Sequence, residues 1–111
     1  MLYGASAGGL AVFTWLQTIE ARFKQLNPNA KVWGLADSGY FINYKSLQTN
    51  DFDYQIKIKS VVDLANMLVP LPNTDCVATN SENPHFCMMA EHLVNFIDAP
   101  LFVIESLYDS W

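Results

Sequence analysis

The hydrophobic positions of this chain repeat at helical spacing in some stretches and gather into short apolar runs in others. Between residues 8 and 26, Leu10, Phe13, Leu16, Ile19, Phe23 and Leu26 recur every three or four positions, while Thr14, Gln17, Ala21 and Lys24 fall on another face. This spacing predicts an amphipathic helix over 8–26. Asn27-Pro28-Asn29 ends it, because Pro28 disfavours helical backbone at the residue before it. Lys31 to Ala36 reads as a short strand, left through the turn Asp37-Ser38-Gly39. Residues 52–68 read as a second helix with Tyr54, Ile58, Val61, Ala65 and Leu68 on one face, although Ile56-Lys57-Ile58-Lys59 also alternates as a strand would. Pro70 and Pro72 close that segment. Asn83-Pro84 opens a third helix, with Asn suited to the cap and Pro to the first helical position. Leu101 to Leu107, bounded by Pro100, reads as the last strand.

Strands separated by helices predict an α/β fold, a parallel sheet with crossover helices. Only about three strands are present, the first cut short to Leu2-Tyr3. A parallel sheet wants cover on both faces and neighbours at its edges. Residues 1–111 are therefore expected to be one partial domain, truncated at both ends.

Composition narrows the partners. The chain has 111 residues, 51% of them hydrophobic, and a formal net charge of -5. Six Lys and Arg are spread over the whole length without a cluster, so nucleic acid is not an expected partner. No stretch reaches the roughly 18–20 apolar residues of a membrane span, and no transmembrane segment is expected. Met1 is followed at once by Leu2-Tyr3-Gly4, without the charged region and apolar stretch of a secretory leader, so none is expected in this stretch. Cys76 and Cys87 bracket a polar segment; they read equally as a short disulfide loop or as two free thiols. No Cys or His stands at zinc-ligand spacing, so no metal site is expected.

The chemistry concentrates near the start. Gly4-Ala5-Ser6-Ala7-Gly8 matches G-x-S-x-G, the nucleophile elbow of α/β-hydrolases. There a serine sits on a strained strand-to-helix turn, and glycines two residues to either side, here Gly4 and Gly8, let strand and helix pass close together. The N–H after the serine, here that of Ala7, points at a developing oxyanion. A phosphate cradle is the competing reading, but G-x-G-x-x-G is absent and no P-loop lysine follows. The triad in this fold runs Ser, acid, His, with the acid just past a late strand. Asp109 and Asp37 each follow a predicted strand, though either also reads as a loop or turn carboxylate. His85 and His92 both precede Asp109, the wrong order for the base, which is expected beyond Trp111.

Three blocks resemble the pectin acetylesterase and Notum family of carboxylesterases. Gly4-Ala5-Ser6-Ala7-Gly8-Gly9 is similar to its serine block, and Asp37-Ser38-Gly39-Tyr40-Phe41 to its D-[SA]-G-[FWY]-F block. Pro100 to Ile104, leading to Tyr108-Asp109-Ser110-Trp111, is similar to its acid-bearing block. The resemblance implies a fragment of an α/β-hydrolase-like fold with Ser6 as nucleophile, Asp109 as triad acid and Ala7 N–H as an oxyanion donor. It makes Asp37 a structural or pocket residue. It further implies a Cys76–Cys87 disulfide, a secreted protein and no cofactor. The implied substrate is an acetylated polysaccharide such as pectin, or an acylated protein as for Notum. Ala5 stands where many plant members have cysteine, and the Gly- and Trp-containing oxyanion loop and the histidine block have no counterpart here. A chain without its base is expected to be nearly inactive, and a non-catalytic binding remnant is the alternative reading.

Overall fold

The computed structural model describes residues 1–65 and 71–108. Strand β1 (Leu2–Ala5) leads into helix α1 (Ala7–Leu26), strand β2 (Gly34–Asp37) and helix α2 (Asp53–Leu64). A short helix α3 (Thr74–Thr79), a 3-10 turn (Pro84–Met88), helix α4 (Ala90–Leu93), a second 3-10 turn (Val94–Phe96) and strand β3 (Leu101–Ile104) follow. The three strands form one parallel sheet in the order β1-β2-β3. Register runs through the rows Leu2, Gly34, Leu101; Tyr3, Leu35, Phe102; Gly4, Ala36, Val103; and Ala5, Asp37, Ile104. All three strands therefore finish on one edge, where the first βα turn lies.

Helix α1 lies across one face of the sheet. Val12, Phe13 and Leu16 are fully buried, and a Cβ at Gly34 would stand 2.6 Å from Leu16 and 2.9 Å from Leu101. The bare strand backbone at Gly34 is what lets the helix settle this close. The buried stripe departs from the expected one. Thr14 is buried with its hydroxyl donating to Leu10 O at 2.9 Å, and buried Glu20 pairs with Lys24 at 2.8 Å. Phe23 and Leu26, by contrast, are 53% and 73% exposed. The helix has 20 residues, about 30 Å, against strands of four, about 13 Å. Its last turns run past the sheet, and among the described residues no strand lies beneath Phe23 and Leu26.

A third layer packs on the outside of α1. Cys76, Cys87, Met89, Ala90 and Leu93 are fully buried there. Asn73 caps α3, its Oδ1 accepting from Cys76 N at 3.0 Å while Nδ2 donates to Phe96 O at 2.9 Å. Cys76 and Cys87 form a disulfide with Cα atoms 5.8 Å apart. The single helix expected from Asn83 is broken at Met89, whose backbone is extended (φ -116°, ψ 127°). Burial at His85, Cys87 and Met89 alternates, which a continuous α-helix cannot supply. Helix α2 ends at Leu64, short of the expected 68; Leu68 itself lies outside the described residues. Its half-buried hydrophobic side chains are Tyr54, Ile58 and Val62, while Val61 and Ala65 face solvent. The last strand also stops early, at Ile104.

The other sheet face is open. Tyr3 and Phe102 are 57% and 67% exposed on either side of Leu35. Among the described residues, no element covers that row.

Two outcomes follow for the outer layer. The disulfide closes an 11-residue separation, so replacing both cysteines by alanine should lower stability to urea by about 2–3 kcal/mol; an unchanged midpoint would show that the bridge contributes nothing. His85 is buried with Nε2 unpartnered among the described residues, and burial, reinforced by the charge of Lys59, holds its pKa below the ordinary value. As pH falls through about 6.5, the unfolded chain protonates first, so the folded state loses stability. The urea midpoint should therefore drop between pH 7.5 and 5, and less so in His85→Gln.

Candidate active site

Ser6 occupies the turn between β1 and α1 with φ 54° and ψ -122°. A non-glycine residue there is strained by about 1–3 kcal/mol and persists only when its surroundings over-determine it. Several contacts do so. The β1–β2 ladder runs to the pair Ala5 and Asp37, and Ser6 N–H then donates to Asp37 O at 2.8 Å. Ser6 O accepts from Leu10 N at 3.1 Å, starting the helix. A Cβ at Gly4 would lie 2.1 Å from Gly8 O, so strand and helix pass each other here only because Gly4 has none. The steric demand at Gly8 is different from the one expected: a Cβ there would meet nothing within 4 Å. The tight helix position is Gly9.

Gly9 is pressed against the turn leaving β2. A Cβ on Gly9 would stand 2.8 Å from Asp37 O and 2.9 Å from Gly39 Cα, and one on Gly39 would stand 2.4 Å from Gly9 C. Ser38 adopts φ 50°, its N–H donates to Ile104 O at 2.7 Å, and its hydroxyl donates to Asp37 Oδ1 at 2.9 Å. Tyr40 sets its ring edge-on to Phe13 at 5.7 Å, and its N–H donates to Glu105 Oε1. The Asp-Ser-Gly-Tyr block is thus a backbone brace for the serine turn.

The result is an exposed Ser6 at the carboxyl edge of the sheet. Among the described residues, its Oγ has no hydrogen-bond partner. The first N–H groups of α1, Ala7 and Gly8, have no carbonyl one turn earlier to bond. They form a positive pole beside the hydroxyl, suited to an oxyanion. Asp109 lies outside the described residues. Asp37 closes β2, with one carboxylate oxygen engaged by Ser38. His85 is buried in the outer layer, and His92 stacks on Phe86 at 4.5 Å with Nε2 3.5 Å from Glu91. Neither is bonded to Ser6.

Two features had no signal in the sequence. Asn43, Tyr54 and Gln55 gather near Glu91: Asn43 Nδ2 donates to Gln55 at 2.9 Å and Asn43 N to Glu91 at 3.4 Å. Burial, then the charge of Glu91, pushes the Tyr54 phenol up to about 12, so it stays protonated. A cleft of about 470 Å³ instead flanks the far half of α1 between Gln17, Arg22, Asn73 and Phe96. Its polar groups hold the fold together: Gln17 Oε1 accepts from Asp98 N and Thr18 Oγ1 donates to Pro72 O. Among the described residues, no group of three or more His, Cys, Asp and Glu could hold a metal ion.

The brace makes a direct prediction. Gly39→Ala should destabilise the fold by about 1–3 kcal/mol, as expected for overpacking, whereas Gly8→Ala should leave the urea midpoint nearly unchanged. Equal effects would mean that the two turns are not in close contact.

Comparison with known proteins places this architecture. The model of the pectinacetylesterase family matches residues 1–111. Pectin acetylesterase 7 and pectin acetylesterase 11 of Arabidopsis thaliana are each 32% identical across the whole chain, which spans 27% of their length. Among solved structures, the Wnt deacylase Notum from Drosophila superposes with a TM-score of 0.85 at 26% identity, over 99% of this chain and 32% of that one. A second crystal form of it gives 0.84 at 25% identity, over 97% and 30%. The fold is therefore a piece of the α/β-hydrolase-like architecture of Notum, and the chain belongs to the pectinacetylesterase family.

Proposed function

We propose that residues 1–111 are the nucleophile-bearing part of a longer serine carboxylesterase that removes acetyl groups from a polysaccharide. The observation that carries this reading is the strained, exposed Ser6 at the head of α1, braced from β2. Ser6 Oγ attacks the ester carbonyl, and its proton passes to a histidine that follows Asp109 in the order usual for this fold. Asp109 orients that histidine and stabilises its charged form. The carbonyl oxygen becomes an oxyanion held by Ala7 N–H. Collapse expels the sugar alcohol, which takes the proton back, and leaves Ser6 acetylated. Water, deprotonated by the same histidine, then releases acetate.

Polysaccharide is preferred over acylated protein because the family and both plant relatives carry the pectin acetylesterase name. The likeness to a Wnt deacylase favours a protein-linked acyl group as the second reading. The disulfide fits an extracellular protein, since such bonds persist in oxidising compartments.

The complete reading frame containing this chain should hydrolyse acetyl esters and be labelled at Ser6 by a fluorophosphonate. Ser6→Ala should lower kcat on the order of 10^4–10^6-fold, and Asp109→Asn by a smaller factor. Full hydrolysis by Ser6→Ala refutes the reading. Binding of substrate without labelling would instead favour a non-catalytic protein. Faster turnover of long-chain than of acetyl esters would move the substrate to the second reading.

A further inference from the structure

We propose that Glu105 is a positioning residue that ties the exit of β3 to the turn bracing Ser6. The proposal rests on the reading of Ser6 and Asp109 as triad members. Glu105 follows directly on β3, and its carboxylate accepts the backbone N–H of Tyr40, a residue 65 positions earlier. One residue back, Ile104 O accepts Ser38 N–H at 2.7 Å. The backbone leaving β3 is thus fastened at two successive residues to the backbone leaving β2. The second of these fastenings is made by a side chain, so it can be removed without altering the ladder.

The fastening reaches the serine through the backbone. Tyr40 continues the Asp37-Ser38-Gly39 turn, Gly39 presses on Gly9, and Asp37 O holds Ser6 N–H at 2.8 Å. In the other direction Asp109 is four residues beyond Glu105. Glu105 therefore stands between the turn that shapes the nucleophile and the stretch of sequence leading to Asp109. Among the described residues it has no ion pair, and the Tyr40 amide is its partner. That hydrogen bond is the tie from the Glu105 side chain to the turn leaving β2. Losing it frees the post-β3 loop to shift, and displacements of about 1 Å are enough to cost on the order of 100-fold in rate. What the site needs from this residue is an acceptor at the right reach, rather than a negative charge.

The test uses the complete reading frame, with kcat expressed per serine titrated by a fluorophosphonate so that misfolded molecules are not counted. Glu105→Ala, Glu105→Asp and Glu105→Gln are compared with wild type on an acetyl ester, with Ser6→Ala as control. Aspartate keeps the charge but is one methylene short; glutamine keeps the acceptor and loses the charge. Glu105→Ala and Glu105→Asp should lower kcat about 10- to 100-fold with KM within about twofold, and Glu105→Gln should stay within about twofold of wild type. Wild-type kcat in Glu105→Ala overturns the proposal. So does Glu105→Gln as slow as alanine, or a change confined to KM or to the titratable fraction. An inactive Ser6→Ala beside an unimpaired Glu105→Ala rejects Glu105 alone. An active Ser6→Ala rejects the reading of the site and this proposal with it.

Discussion

The hydrogen bond from Ser6 N–H to Asp37 O sets the geometry on which the rest of this structure depends. It extends the β1–β2 ladder one step beyond the last strand pair, into a residue whose φ of 54° no strand would adopt. Strain of that kind relaxes unless neighbouring backbone blocks every alternative. Here the closest blocking contacts are between backbones. Gly4 against Gly8 fixes how closely the helix follows the strand, and Gly9 against Gly39 fixes where the helix begins relative to the next turn. Contacts between main chains have few degrees of freedom to absorb error. Gly4, Gly9 and Gly39 are consequences of this one requirement.

The layering follows from the same point. Because α1 begins in contact with the β2 turn, its first half lies over Gly34 and Ala36, and Val12, Phe13 and Leu16 fill the space. The disulfide layer then closes the outer side of α1. Nothing among the described residues does the equivalent for the row Tyr3, Leu35, Phe102. Parallel sheets are ordinarily covered on both faces, and the matched relatives have chain enough to supply a second layer.

Legibility in the sequence followed the range of the forces involved. The elbow was readable because its sterics act between residues close in the chain, and α1 because twenty residues of periodicity outweigh a few exceptions. The parallel α/β arrangement followed from element order alone. The exposed Phe23 and Leu26 misled, since periodicity records which face is apolar but not where the sheet beneath it ends. The break at Met89 answers to the disulfide, and the small helix α3 is placed by Asn73, whose cap on Cys76 is local but whose second partner, Phe96 O, lies 23 residues away. The motif's spacing points to Gly8, whose backbone does face Gly4, but it does not say that the β2 turn comes against the helix at Gly9. Glu105 is legible only in three dimensions, since its partner is 65 residues away.

The sheet order also bears on which carboxylate suits the role of acid. A histidine that links a serine to a carboxylate must fit its ring and two hydrogen bonds of about 2.8 Å between their oxygens. Asp37 closes β2, the immediate neighbour of β1, and neighbouring strands are only about 4.8 Å apart. That spacing leaves no room for an imidazole in line between the two. Asp37 is also turned to Ser38 through one oxygen, and its carbonyl is committed to Ser6 N–H. A residue leaving β3 starts one strand further away, about twice that distance from β1, and the ring then fits across the end of β2. The order β1-β2-β3 therefore favours a carboxylate that follows β3 in sequence, as Asp109 does, and gives β2 the task of holding the serine turn in shape.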